Sequence, residues 1–156
     1  MLLIQAIRRN AAFRAGEIAT IDGDERRTWA EFADRVARAA DGLRQMGIRP
    51  GDRVGILALN SAHYLEAQFA IWWVGAVLVP MNIRWSVEEN LYCIRDAGIE
   101  TLIFDQAFAD MAGTICAEAN GLRQILLAPA SEGTVPAFED VIARGITKPA
   151  HESAVN

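Results

Sequence analysis

The run Val79-Pro80-Met81-Asn82-Ile83-Arg84 carries the side chains best suited to binding chemistry. Its apolar start reads as the end of a strand, and Pro80, which has no amide proton, stops the regular ladder. Asn82 can close a turn through its own side chain, while Arg84 offers a planar five-donor fork that matches phosphate or carboxylate. A structural ion pair or a solvated arginine would use the same residue. Asn82 and Arg84 are the candidate cofactor-binding residues, and no residue is assigned to catalysis or to a metal.

Other reactive side chains carry weaker signals. His63 falls in the first turn of an expected helix just beyond a strand, where open α/β sheets tend to receive ligands. Proton transfer there needs a positioned acidic or nucleophilic partner, and none can be identified along the sequence. Capping, packing and plain exposure are the competing readings. Ser61 lacks the glycines of a nucleophile elbow and fits a helix cap. Glu88 and Glu89 open a helix at its positive end and are not read as a metal pair. Cys93 and Cys116 have no metal-ligand spacing around them and read as core thiols, as in a reducing compartment. Trp72 and Trp73 are adjacent on a helix, so they face directions about 100° apart and form no stacking cage.

The elements that position these residues follow from periodicity. A first helix spans roughly residues 2–13, and Glu17 to Ile21 reads as a short strand before the turn Asp22-Gly23-Asp24. Thr28-Trp29-Ala30-Glu31 has capping-box spacing. Trp29, Phe32, Val36, Ala40, Leu43 and Met46 then mark one apolar stripe that ends at Gly47. Arg53 to Leu59 reads as a strand covered on both faces, followed by a helix near residues 62–73 and a buried strand from Ala76 to Pro80. Ser86 with Glu89 forms a second capping box, and that helix stops at Gly98. Thr101 to Phe104, a helix near 107–119, Arg123 to Leu127 and a short helix at 138–143 complete the alternation. Strands and helices in this order predict an α/β fold of three layers, with a mostly parallel sheet flanked by helices.

At 156 residues and 52% apolar content the chain can bury a core large enough to order itself. A net charge of -5 gives no global attraction to a polyanion, so nucleic acid is not an expected partner. The uncharged run from Phe69 to Val79 is shorter than the roughly 20 residues a membrane helix needs, so no transmembrane segment is expected. Met1-Leu2-Leu3-Ile4 breaks at Gln5 and precedes Arg8 and Arg9, which suits an amphipathic helix better than an export signal, and a cytoplasmic protein is expected. No glycine pattern of a dinucleotide turn and no glycine-rich loop ending in Lys-Ser or Lys-Thr occurs.

Thr28-Trp29-Ala30-Glu31-Phe32, Gly51-Asp52-Arg53-Val54-Gly55-Ile56, Asn60-Ser61 and Gly75 through Arg84 follow one another in an order and spacing that closely resemble the N-terminal region of AMP-forming acyl-CoA synthetases. The resemblance implies an N-terminal α/β subdomain over residues 1–145. It also implies that 146–156 form a linker toward a phosphate-binding loop that these 156 residues do not contain. It further implies that the parent enzyme joins a carboxylate to AMP and then to CoA, using ATP, Mg²⁺ and CoA, none of them held strongly by this chain alone. A fatty acid is the default substrate expectation, with a non-catalytic binding or scaffold module as the alternative. The segment with Asn82 and Arg84 would lie near the active-site region. The remainder of the parent enzyme is the implied partner, and a homo-oligomer is left open.

Overall fold

The computed structural model describes residues 2–127 and 133–146. Helix α1 (Leu2–Phe13) leads into a hairpin of β1 (Ile18–Asp22) and β2 (Glu25–Thr28), and then into α2 (Trp29–Gln45). There follow β3 (Arg53–Leu57), α3 (Ala62–Val74), β4 (Val77–Pro80), α4 (Val87–Ala97), β5 (Ile99–Phe104), α5 (Ala109–Glu118), β6 (Arg123–Leu126) and α6 (Phe138–Arg144). Strands β3 to β6 form one sheet in the order β4-β3-β5-β6, every neighbouring pair parallel.

The lack of polar alternation in β3 and β5 is explained by cover on both faces. Val54, Ile56 and Ile103 pack with Leu43 of α2, Ile71 of α3 and Phe138 of α6. Leu57, Leu102 and Phe104, which point the other way, pack with Leu91 and Ile94 of α4 and Ile115 of α5. From β3 the chain moves outward to β4, then reverses across β3 to reach β5. Crossovers of one hand must change face when the direction reverses, which puts α3 and α4 on opposite sides of the sheet.

Both predicted capping boxes form. The Glu31 amide donates to Thr28 Oγ1 at 3.3 Å and the Thr28 amide to Glu31 Oε2 at 2.7 Å, with the matching pair at Ser86 and Glu89 at 3.3 and 2.8 Å. Each such cap is worth about 1 kcal/mol. Gly98 closes α4 at φ 64°, in the left-handed region that disfavours other residues.

Four expectations need correction. Strand β2 was not anticipated, because Glu25-Arg26-Arg27-Thr28 is too polar to look like a strand; its pairing with β1 is what orders it. Strand β3 stops at Leu57 rather than Leu59, since Leu59 has left the sheet and is exposed. Strand β4 is an edge strand, with Val77 48% exposed, so the apolar run does not end in a fully buried strand. The expected helix at 107–119 is a 3₁₀ turn, Gln106–Phe108, followed by α5. Of the expected linker at 146–156, all but Ile146 lies outside the described residues. Among the described residues no helix is long and apolar enough to cross a membrane.

Candidate functional site

The turn after β4 is built from its own backbone outward. The Met81 amide donates to the Ile56 carbonyl of β3 at 2.9 Å, so the chain leaves the sheet still tied to it. Asn82 Oδ1 then accepts the Arg84 amide at 2.9 Å, and the Trp85 amide donates to the Asn82 carbonyl at 3.1 Å. This is the side-chain-closed turn expected of an asparagine here. Asn82 and Arg84 thus belong to one turn beyond the carboxyl ends of β3 and β4. Arg84 is exposed and makes no ion pair among the described residues, leaving its guanidinium available to an anion.

His63 takes no part in that turn. Its Nε2 lies 3.0 Å from Glu139 Oε1 of α6, a partner that spacing along the chain could not reveal. Glu139 belongs to a charged cluster wedged between α2, α3 and α6. Arg35 Nε and Nη2 donate to the two oxygens of Glu66 at 2.6 and 2.8 Å, and Arg35 Nη1 donates to Glu139 Oε2 at 3.2 Å. A second bond joins Arg35 Nη2 to Glu139 Oε1. Arg27 Nε of β2 approaches Glu66 Oε1 to 2.9 Å as an ion pair, although its N–H is not aligned for a hydrogen bond. Glu66 is wholly buried.

Two carboxylates and two guanidiniums make this cluster close to neutral, which is what a buried charge requires. Burial works against the charge of Arg35, yet Glu66 and Glu139 outweigh it and hold the guanidinium more firmly protonated than usual. Burial likewise opposes ionisation of Glu139, but hydrogen bonds and charge from Arg35, then from His63, bring its carboxyl below the ordinary range.

A depressed carboxyl pKa stabilises the fold fully above the ordinary value of 4.5, and that contribution is lost as pH falls through the folded pKa. Glu139→Gln is therefore expected to flatten the acid limb of stability below about pH 4.5, by about 1 kcal/mol or less given partial exposure. Urea titrations from pH 3 to 7 check it; an unchanged limb would show that Glu139 does not contribute.

His63, Glu66 and Glu139 also bring one nitrogen and two carboxylate oxygens within 4.8 Å of one another, a metal-like grouping. Arg35 already bonds both carboxylates, so an added cation would have to displace a guanidinium from its own partners. The donor set is consumed, and the cluster is structural.

The amino end of α3, a natural anion seat, is likewise filled. Ser61 Oγ accepts the Tyr64 amide at 3.1 Å, and Asp22 Oδ2 accepts the Ala62 amide at 2.8 Å. The open cleft of about 580 Å³ beside it, between β1 and α3, is lined by Ile21, Asp22, Ser61, Tyr64 and Gln68.

The remaining candidates pack. Burial pushes both free thiols up, with Asp96 adding to the effect at Cys93. This disfavours the reactive thiolate. Trp72 meets Phe69 edge-on at 5.3 Å, whereas Trp73 carries the Arg8 guanidinium 4.6 Å from its ring centre. The two indoles do serve different neighbours.

Comparison with known proteins agrees with this architecture. The family model described as AMP-binding enzyme matches residues 7–150. The chain is 41% identical over 124 residues to feruloyl-CoA synthase from Amycolatopsis sp, covering 80% of this chain and 24% of that relative. It is 35% identical over 102 residues to a long-chain-fatty-acid–CoA ligase from Thermus thermophilus, covering 65% of this chain and 19% of the relative. Among solved structures, an anthranilate CoA ligase in complex with anthranoyl-AMP superposes with a TM-score of 0.86 at 25% identity, covering 94% of this chain and 28% of that chain. The chain spans about a quarter of the length of the feruloyl-CoA synthases it matches.

Proposed function

Because the chain belongs to the AMP-binding enzyme family, we propose that it is the N-terminal part of an ATP-dependent acid–CoA ligase. In that reaction a carboxylate oxygen attacks the α-phosphorus of ATP, pyrophosphate leaves, and the CoA sulfur then attacks the acyl carbon and expels AMP. Negative charge develops on phosphate oxygens in the first step, so the enzyme must present donors to them. The observation that carries a role for this chain is the exposed Arg84 fork, without an ion pair among the described residues, on a turn braced by Asn82.

Within this reading Arg84 contacts a phosphate or carboxylate of the bound ligand, and Asn82 shapes the turn that offers it. Mg²⁺ accompanies ATP; the acidic cluster at Glu66 and Glu139 does not suit it, since Arg35 holds both carboxylates. CoA and the acid would be received largely by the rest of the parent enzyme. The half-buried free cysteines fit a cytoplasmic setting.

Two acid classes stand in contention. A fatty acid is supported by the likeness to a long-chain-fatty-acid–CoA ligase. An aromatic acid is favoured by the higher identity, over more of the chain, to feruloyl-CoA synthase.

The test is acid-dependent ATP–pyrophosphate exchange by the full-length protein over fatty and aryl acids. Exchange is expected with one class, and Arg84→Ala is expected to lower kcat/KM about tenfold, the size of one charge-assisted hydrogen bond. Residues 1–156 alone are expected to give none. Full-length protein that exchanges with no acid would favour the scaffold reading, and unaltered kinetics in Arg84→Ala would remove Arg84 from the site.

A further inference from the structure

We propose that Asn90 is a positioning residue for Arg84: from inside α4 it grips the backbone of the turn that presents the guanidinium. The ligand-facing role of Arg84 belongs to the function proposed above, and the grip itself stands on geometry alone.

Asn90 is wholly buried beside Leu91 and Ile94, on a helix whose inner face is otherwise apolar. Its Nδ2 donates to the Ser86 carbonyl at 3.0 Å and to the Trp85 carbonyl at 3.3 Å, with Met111 Sδ at 3.6 Å. Its Oδ1 has no partner among the described residues. Turning the amide over would set that oxygen against two carbonyl oxygens, so the hydrogen-bond network fixes the orientation.

The Ser86 carbonyl already accepts the Asn90 amide at 3.1 Å, as any helix would arrange. The Trp85 carbonyl lies outside α4, and Asn90 is what ties it to the helix. Trp85 is thereby held from both sides, its N–H by the Asn82 carbonyl and its C=O by Asn90. Arg84 directly precedes it. One end of the turn is anchored to β3 through Met81 and the other to α4 through Asn90, so the direction in which Arg84 leaves the chain is set from both ends. An apolar side chain would pack against Met111 and Leu91 without leaving an unpaired oxygen, but it could not hold the Trp85 carbonyl. Pre-set geometry of this kind spares a ligand the entropy of ordering the group that binds it.

The experiment uses the full-length protein with Asn90→Leu and Asn90→Ala. Arg84 is exposed and is itself a tryptic site, so native-state cleavage after Arg84 reports how firmly the turn is held. Cleavage after Arg95, exposed on the same helix, serves as the internal control. Release of the turn predicts about tenfold faster cleavage at Arg84 with no change at Arg95, tenfold corresponding to loss of a bond worth about 1.4 kcal/mol. Kinetically, Asn90→Leu is expected to lower kcat/KM in exchange, while Arg84→Ala with Asn90→Leu is no worse than Arg84→Ala alone.

Unchanged cleavage at Arg84 in both variants overturns the grip, whatever the activity. Equal acceleration at Arg84 and Arg95 overturns it as well, by assigning Asn90 to general packing. Additive kinetic losses overturn the link to Arg84. A wild-type protein inactive with every acid would instead defeat the ligase reading, and the cleavage ratio would still decide whether Asn90 holds the turn.

Discussion

Arg35→Met is expected to lower the free energy of unfolding by about 3–5 kcal/mol, the range for removing one partner of a buried ion pair. Glu66 is wholly buried, and Arg35 supplies both of its aligned hydrogen bonds. Methionine would keep the apolar stem of the arginine and leave Glu66 with Arg27, whose N–H is misaligned, as its ion-pair partner among the described residues. Glu139 would lose its guanidinium at the same time. Exposed pairs such as Arg38 with Asp34 give a useful contrast, since screening and side-chain entropy limit them to about 0–1 kcal/mol. Urea unfolding measures the loss, and adding Glu66→Leu to Arg35→Met is expected to recover part of it by removing the stranded charge. A midpoint equal to wild type in Arg35→Met would show that the cluster does not hold the three helices together.

Gly42→Ala is the second large effect, and its sign is decided by two opposing magnitudes. Alanine improves helix propensity by about 1 kcal/mol over glycine, which alone would stabilise α2. A Cβ at position 42 would, however, overlap the Val141 carbonyl oxygen of α6 and come within 2.8 Å of Val141 Cγ1. A backbone oxygen cannot rotate aside, so the helices would have to separate. Overpacking of this kind costs about 1–3 kcal/mol or more, and at so severe an overlap the upper end applies. The net expectation is a loss of about 2 kcal/mol, or a Tm lower by roughly 4–8 °C for a chain of this size. A rise in Tm would mean that α2 and α6 do not meet at Gly42.

Local signals were legible because their partners lie within one turn. Thr28 with Glu31 and Ser86 with Glu89 declare helix starts by a spacing of three, and Gly47 and Gly98 mark helix ends by needing positive φ. The α/β alternation followed from these, as did the turn at Asn82. The charged cluster was not legible, since Arg35 interrupts no apolar stripe and looks like any solvated helical arginine. Its partners are 31 and 104 residues away. His63 was singled out for its place after β3, but its partner Glu139 lies on α6, 76 residues on. Strand β2 escaped for a related reason: its residues are polar, and Arg27 is drawn inward by the buried Glu66 rather than by hydrophobicity. Asn90 reads as an unremarkable helical asparagine until the Trp85 carbonyl is seen above it.

The spread of Arg35's partners along the chain sets an order of events during synthesis. Glu66 emerges from the ribosome soon after Arg35, whereas Glu139 follows at a separation of 104 residues. At roughly 5–20 residues per second, the nascent chain waits about 4–15 s between gaining the first carboxylate and the second. Until then His63 lacks its hydrogen-bond partner Glu139, and the flank of α2 around Gly42 lies bare. That interval is when a chaperone would find the nascent polypeptide most in need of cover.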